Sequence, residues 1–430
     1  MINRKTMSIF IFSPIIILSF YSFGTFSFFN LFGASYIAKI IVVIYCPLGI
    51  ISIFYSDLYK KQSTVFVLTL IFFIYYGFVV SLSKNSFSLG IIQAVVMCII
   101  ALFLLGVDFS AIKKISKSLV NITFILASLG FYVFFIYAFY PEQLNVNSYL
   151  IASSDTGNSI IYPSSYLDYF SFTSGDGYMF FGHLVTRVKG YSNEPSSTLV
   201  HYLAPVVFAM MYGGRKYRAM GLIIFLFSMI AISSLMGILC MLLSFLTYIV
   251  LSLKSNNIKL LLMILFVFSL LVLMLNANQI IDVMLKYGNQ LNNELSYDLI
   301  ARKQGSAFGR LLSYNNAIKL LINNPLGFSF GETVTGLWLQ IALTGGVVLL
   351  FIYLVLSYKI ISISAMIFNS LRSIYKKYGA SLLVSLWITS FLITSYGWDR
   401  IPGVIILILF YRTLREEYKQ MNINNVSTNI

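Results

Sequence analysis

The chain has 430 residues, 59% of them hydrophobic, 17% aromatic and only 10% charged, with a mean hydropathy of +0.86 and a formal net charge of +15. Its apolar residues come in repeated runs of about 18–22, the length that crosses a bilayer as a helix, and this excludes a soluble enzyme. An outer-membrane barrel would show ten-residue alternating segments, and there are none.

In chain order the runs predict about twelve spans: 7–23, 36–55, 64–82, 88–107, 118–140, 197–212, 218–233, 236–252, 259–275, 334–357, 380–396 and 401–412. The expected class is an all-α, polytopic integral membrane protein. The first run follows Arg4 and Lys5 as a signal peptide would, but no small-residue cleavage pattern follows at "YSFGTFSFF", so a retained first span is expected. The last run is short enough to be re-entrant. The chain divides into N-terminal membrane helices (1–140), a first large loop (141–196), central membrane helices (197–275), a second large loop (276–333), and C-terminal membrane helices with a tail (334–430).

Basic residues set the orientation. With the N-terminus and C-terminus cytoplasmic, the cytoplasmic segments hold 19 of the 29 Lys and Arg residues but only four of the 14 Asp and Glu. The other segments are then neutral. The positive excess is topogenic and makes no case for nucleic acid. Cys46, Cys98 and Cys240 all lie inside apolar runs, with neither a disulfide framework nor a metal-ligand spacing.

The first large loop ends in "TRVKGYSNEPSS", residues 186–197, a dense group of charges and turn formers. Pro195 and Ser196 suit the start of a helix, with Glu194 at its positive end. One reading is a helix entry with interface charges. The other is a phosphate-binding arginine, Arg187, with a carboxylate held by a rigid turn, because a guanidinium donates in pairs and stays ionised. Lys189, Gly190, Asn193 and Pro195 belong to the same stretch.

The second large loop carries Arg302, Lys303 and Arg310, then "GRLLSYNNAIKLLINNP". Leu311, Tyr314, Ile318, Leu321 and Ile322 recur at helical spacing, opposite Arg310, Ser313, Asn316, Lys319 and Asn323. Pro325 and Gly327 end the pattern. Such a helix suits the membrane interface, apolar side down. Gly327, Gly331, Gly336, Gly345 and Gly346 let backbone pass close to a partner, either for binding or simply for packing.

The Arg…Gly…Asn-Glu-Pro-Ser stretch before a mid-chain span, followed by "GRLLSYNNAIKLLINNPLGFSFG" and "TGLWLQIALTGGVVLLFIYLVL", resembles the O-antigen polymerase and O-antigen ligase superfamily. The resemblance covers residues 183–357 by motif and the rest by topology alone. It implies a GT-C-type glycosyltransferase fold in the bacterial inner membrane. It also implies transfer of a glycan from undecaprenyl diphosphate to an acceptor hydroxyl at the periplasmic face. The phosphate-binding arginines, one per large loop, would be Arg187 and Arg310. Arg302, Tyr314, Gly327, Gly331 and Glu332 would line the donor site with Lys189, Gly190, Asn193 and Pro195. Resembling ligases carry a histidine near "GETVTGLWLQ", and none stands there, which favours a polymerase of lipopolysaccharide or another exopolysaccharide. A ligase is the alternative; a flippase of the same pathway is disfavoured because there is no internal repeat, most spans lack charge apart from Lys39 near one end, and the large loops are unequal. A chain-length regulator and a flippase are the implied partners.

Cleavage of the anomeric C–O bond piles charge on a diphosphate leaving group, and fixed cations at a low-dielectric interface stabilise it. The loops hold no Asp-x-Asp pair or histidine cluster. Metal-independent transfer, with no cofactor, is therefore expected. Glu194 is the expected base for the acceptor hydroxyl, with Glu332 and Asp399 as rivals. His183 reads first as a loop residue. His201, inside a span, reads first as a packed, hydrogen-bonded residue. Asp399 and Arg400 are expected to pair in the short turn "SYGWDRIPG".

Overall fold

The computed structural model describes residues 16, 63–84, 87–139, 147–152, 159–164, 172–180, 183–190, 195–232, 235–275, 316–327, 336–393 and 401–427. The predicted spans 7–23 and 36–55 lie outside them, apart from the buried, helical Ile16. Each of the ten later spans falls on a helix: α1 (Ser63–Lys84), α2 (Phe87–Gly106), α3 (Phe109–Phe139), α4 (Pro195–Tyr212), α5 (Arg215–Ile230), α6 (Leu235–Ser252), α7 (Asn256–Leu275), α9 (Leu337–Phe368), α10 (Ile374–Ile393) and α11 (Ile401–Ser427). A short helix, α8, spans residues 316–323. Among the described residues, two helices, α9 and α3 over Phe109–Ile136, are long and apolar enough to cross a membrane.

The helices form one core. α4 sits near its centre, packed against α3, α5 and α10, and nearly every residue from Leu199 to Met211 is buried. α11, which covers the predicted span short enough to be re-entrant, is a continuous helix whose residues 403–414 are all buried, packed by α2, α9 and α3. Side chains exposed on the bundle's outside are apolar instead: Ile74, Phe78, Phe245, Phe268 and Phe351 are each more than half exposed. Water solvates such a surface poorly, and lipid solvates it well.

Side-chain contacts gather the basic residues at one end of the bundle. Lys376 of α10 pairs with Glu417 of α11 at 2.6 Å. Arg218 of α5 lies 4.2 Å over the Tyr375 ring, and Lys117 of α3 lies 5.0 Å over Tyr217. Tyr212 Oη donates to Thr413 Oγ1. Lys259 of α7 is fully buried, donating to the Ala365 carbonyl at 3.0 Å. The helix turns at this end are the ones expected to be cytoplasmic from their charge.

Arg412 closes the last turn of α2. Its guanidinium donates to the Leu105 carbonyl at 2.7 Å and the Val107 carbonyl at 2.8 Å. A charged side chain more than 300 residues further along the chain thus supplies donors to carbonyls at the C-terminal end of this helix. Arg412→Met is expected to cost roughly 2–3 kcal/mol, because two carbonyls lose a charge-assisted partner in a buried setting. Thermal unfolding in detergent should show the loss, with Arg412→Lys intermediate.

The first large loop departs from the all-α expectation. It holds two antiparallel hairpins: β1 (Asn147–Ala152) with β2 (Ser159–Ser164), and β3 (Phe172–Phe180) with β4 (His183–Gly190). The strands are rich in Tyr, Ile, Val and Thr, which favour a pleated backbone. The Ser, Gly and Asp residues between them mask that signal in the sequence.

α9 also departs from a simple span. It runs 11 residues beyond the predicted end at 357, and it is broken at Gly345 (φ −122°, ψ 15°) and Gly346 (φ 66°, ψ −167°). The second half, residues 347–368, is about 33 Å long at 1.5 Å per residue, enough to span a bilayer.

Candidate functional site

Both large loops leave the bundle at the end opposite the basic one. The first connects α3 to α4, and the second connects α7 to α9.

β4 packs along α3 and reaches α4, so the strand stands beside the helix that its own chain enters next. Its register with β3 pairs Val188 with Thr173 and Thr186 with Gly177. Arg187 alone therefore faces three β3 residues, Ser174, Gly175 and Asp176. The ladder breaks at the arginine that the sequence singled out. Bulges of this kind locally re-aim the strand and interrupt pairing, and they are common beside functional sites. His183 pairs with Phe180 at the hairpin's closed end, and Gly190 with Phe172 at its open end, one position past Lys189. α4 begins at Pro195, where a proline's missing N–H costs nothing.

Along α4 the chain passes His201, which is fully buried and engaged by its surroundings. Pro205, one turn later, has no N–H to offer the His201 carbonyl. These facts fit the packed-histidine reading.

Beneath the α4 entrance lies a small, partly open cleft walled by α4, α9, α10 and α11. Val200 contributes from α4, Tyr353 from α9, Trp387 and Ser390 from α10, and Gly403 and Phe410 from α11. The Tyr353 and Trp387 rings stack 5.9 Å apart. The buried indole N–H of Trp387 has no acceptor among the described residues. The cleft was missed in the sequence. Trp387 offered one signal: it stands in mid-span, not at a bilayer edge where tryptophans serve as anchors.

The end of the second loop docks on the break in α9. Ala317 is buried against Leu339 and Leu343, with Leu320, Leu321 and Trp338 around them. Ile318 and Leu321 of the expected apolar face pack on this cluster, and Asn316, Lys319 and Asn323 of the polar stripe are exposed, while Ile322 is 73% exposed and Leu326 beyond it is 61% exposed. Ala317, too small to register as an apolar anchor, is the residue that lets α8 approach closely. After α8 the chain turns, and Gly327 takes φ 89°. The Pro325 carbonyl accepts from Val347 N–H at 3.1 Å, the first amide after the break. A Cβ on Gly327 would lie 2.5 Å from the Gly346 nitrogen, and one on Gly346 would lie 2.6 Å from the Pro325 oxygen. Two backbones touch here, and only glycine fits. Irregular backbone of this kind is tolerated at membrane depth only when protein covers it, as residues 325–327 do.

Asn193, Glu194, Arg302, Arg310, Tyr314, Gly331, Glu332, Asp399 and Arg400 lie outside the described residues. Of the expected site residues, the structure describes the β4 backbone of His183, Arg187, Lys189 and Gly190, the helix start at Pro195, buried His201, and Gly327 in its turn. Among the described residues there is no cluster of metal-ligating side chains. Comparison of the chain with family models, curated proteins and solved structures gave no match.

Proposed function

We propose that this chain is a membrane-embedded polysaccharide polymerase of the bacterial inner membrane. It has about twelve spans and a GT-C-type arrangement, with both large loops on the periplasmic side. It transfers a growing glycan from undecaprenyl diphosphate to the hydroxyl of another lipid-linked repeat unit. The observation that carries the reading is the break in the β3–β4 ladder opposite Arg187, on a strand that runs directly into the buried central helix. The apolar outer surface and the collection of cations at the opposite end support the membrane placement.

In this reading the anomeric C–O bond to the diphosphate breaks as the acceptor oxygen bonds to the anomeric carbon. Glu194 takes the acceptor's proton. The electron pair leaves with undecaprenyl diphosphate, whose added charge Arg187 and Arg310 stabilise. Substrate is recruited from the membrane, so the donor's lipid need never enter water.

The test is direct. Purified protein, given a lipid-linked repeat unit and no added metal, should yield products longer than one repeat. Glu194→Gln should slow extension by roughly 10²- to 10⁴-fold, the range for loss of a positioned base. Full activity in that variant would move the base elsewhere. In cells, loss of the gene should leave a single repeat unit on lipid A–core. No repeat at all, with polymer kept on the carrier, would identify a ligase instead.

A further inference from the structure

We propose that the end of the second large loop is a foot set in the outer leaflet of the bilayer, with Ile322 and Leu326 among the acyl chains. The inference rests on the membrane placement above but not on the transferase activity.

The height of the foot follows from ties at the opposite end of the bundle. Asn369, just past α9, donates to the carbonyl of Leu253, just past α6, at 2.9 Å. Lys259, in the first turn of α7, donates to the Ala365 carbonyl near the end of α9 at 3.0 Å. The bases of α6, α7 and α9 are therefore held level. At 1.5 Å per residue, α6 rises about 27 Å from its tie and α7 about 24 Å from its own, so both reach their outer ends within about 6 Å of the height of Val347. Val347 is the first residue after the break in α9. Three helices thus agree on the outer edge of a hydrocarbon layer about 30 Å thick, and the break stands at that edge.

Below the break one side of α9 is bare and apolar. Val347, Phe351, Leu354 and Tyr358 recur at steps of three and four residues, and all four are exposed. Leu326 continues this stripe onto the loop, because the Pro325 carbonyl next to it accepts from the Val347 amide. Ile322 stands four residues before Leu326, and it too is bare. The other sides of α8 are accounted for. Ala317, Ile318 and Leu321 pack on α9, while Asn316, Lys319 and Asn323 form an exposed polar edge suited to headgroups. A single bare apolar side chain is ordinary on a wetted surface. Two of them that prolong a lipid-facing stripe, at the height where the hydrocarbon ends, match acyl chains instead. An anchor there limits how far the end of the second loop can lift from the membrane.

The test is a depth measurement by electron paramagnetic resonance. A nitroxide is attached to Ile322→Cys or Leu326→Cys in a chain that also carries Cys46→Ala, Cys98→Ala and Cys240→Ala. The protein is placed in nanodiscs of phosphatidylcholine and phosphatidylglycerol, with no polyprenyl lipid. Oxygen concentrates among acyl chains, and a nickel chelate stays in water. Labels at 322 and 326 are expected to relax with oxygen more than with nickel, as a label at Phe351→Cys should. A label at Asn323→Cys should show the reverse. All four positions are exposed, so none of the labels displaces a packed side chain. Nickel access at 322 and 326 equal to that at 323 would overturn the proposal, since the foot would then stand in water. Shielding from both reagents would overturn it as well, since a protein partner would then cover the pair. The measurement needs no glycan substrate, so its outcome is separate from that of the extension assay.

Discussion

Arg187→Ala is expected to reduce glycan extension by roughly 10²- to 10³-fold while leaving the protein at normal levels in the membrane, the scale for removing one preorganised donor from a developing anion. Arg187 lies on β4, in a loop hairpin whose loss of one side chain leaves the helical core untouched. Arg187→Lys should restore activity only in part. Lysine keeps the charge but not the planar fork that donates two parallel hydrogen bonds to a phosphate. Arg310→Ala should behave alike, and the double variant should be little worse than either single one, because residues acting as a unit lose their effect together. The measurement is the ladder of polysaccharide lengths beside an immunoblot of the membrane fraction. Normal ladders from both alanine variants would remove the two-arginine clamp.

The second large effect is expected at Gly346. Alanine there must adopt φ 66°, a left-handed conformation that alone costs about 1–3 kcal/mol. Its Cβ would also sit 2.6 Å from the carbonyl oxygens of both Pro325 and Leu326. These are backbone atoms, so no side-chain rotation relieves the overlap. Residues 325–327 must lift off the break in α9. That exposes the Val347 amide and detaches α8, the element that follows Arg310. Gly346→Ala should therefore lower the thermal midpoint in detergent and abolish extension together. Gly214→Ala is the matched control, since a Cβ there meets nothing within 4 Å. An unchanged midpoint for Gly346→Ala would mean that the second loop is not anchored on α9.

How much of this was legible beforehand varies with the kind of signal. Pro195 marked the start of α4, and Pro325 with Gly327 marked the end of α8, because these residues restrict or permit backbone angles whatever surrounds them. Of the five glycines read as places where backbone could pass close to a partner, Gly327 and Gly346 do so. Which two of them would meet, Gly327 and Gly346, was not readable, since the meeting partner is 19 residues away. The hairpins were hidden by the polar residues between their strands. On α8 the periodicity picked out Ile318 and Leu321, which pack, but it also counted Ile322, which is exposed, and passed over Ala317, the most buried residue of the helix. Large side chains announce a face, while small ones decide which face can approach.

By itself the sequence determined the helical segments, their apolar character and the segregation of charge, because hydropathy and the preferences of proline and glycine are local properties of the chain. The tertiary structure alone decided the rest. It set Arg187 against an interruption in its ladder, assembled a cleft from four helices spread over more than 200 residues, and seated a loop carbonyl on a broken helix. Each of these is a pairing between distant segments. No pattern along a chain specifies its partner until packing brings the two together.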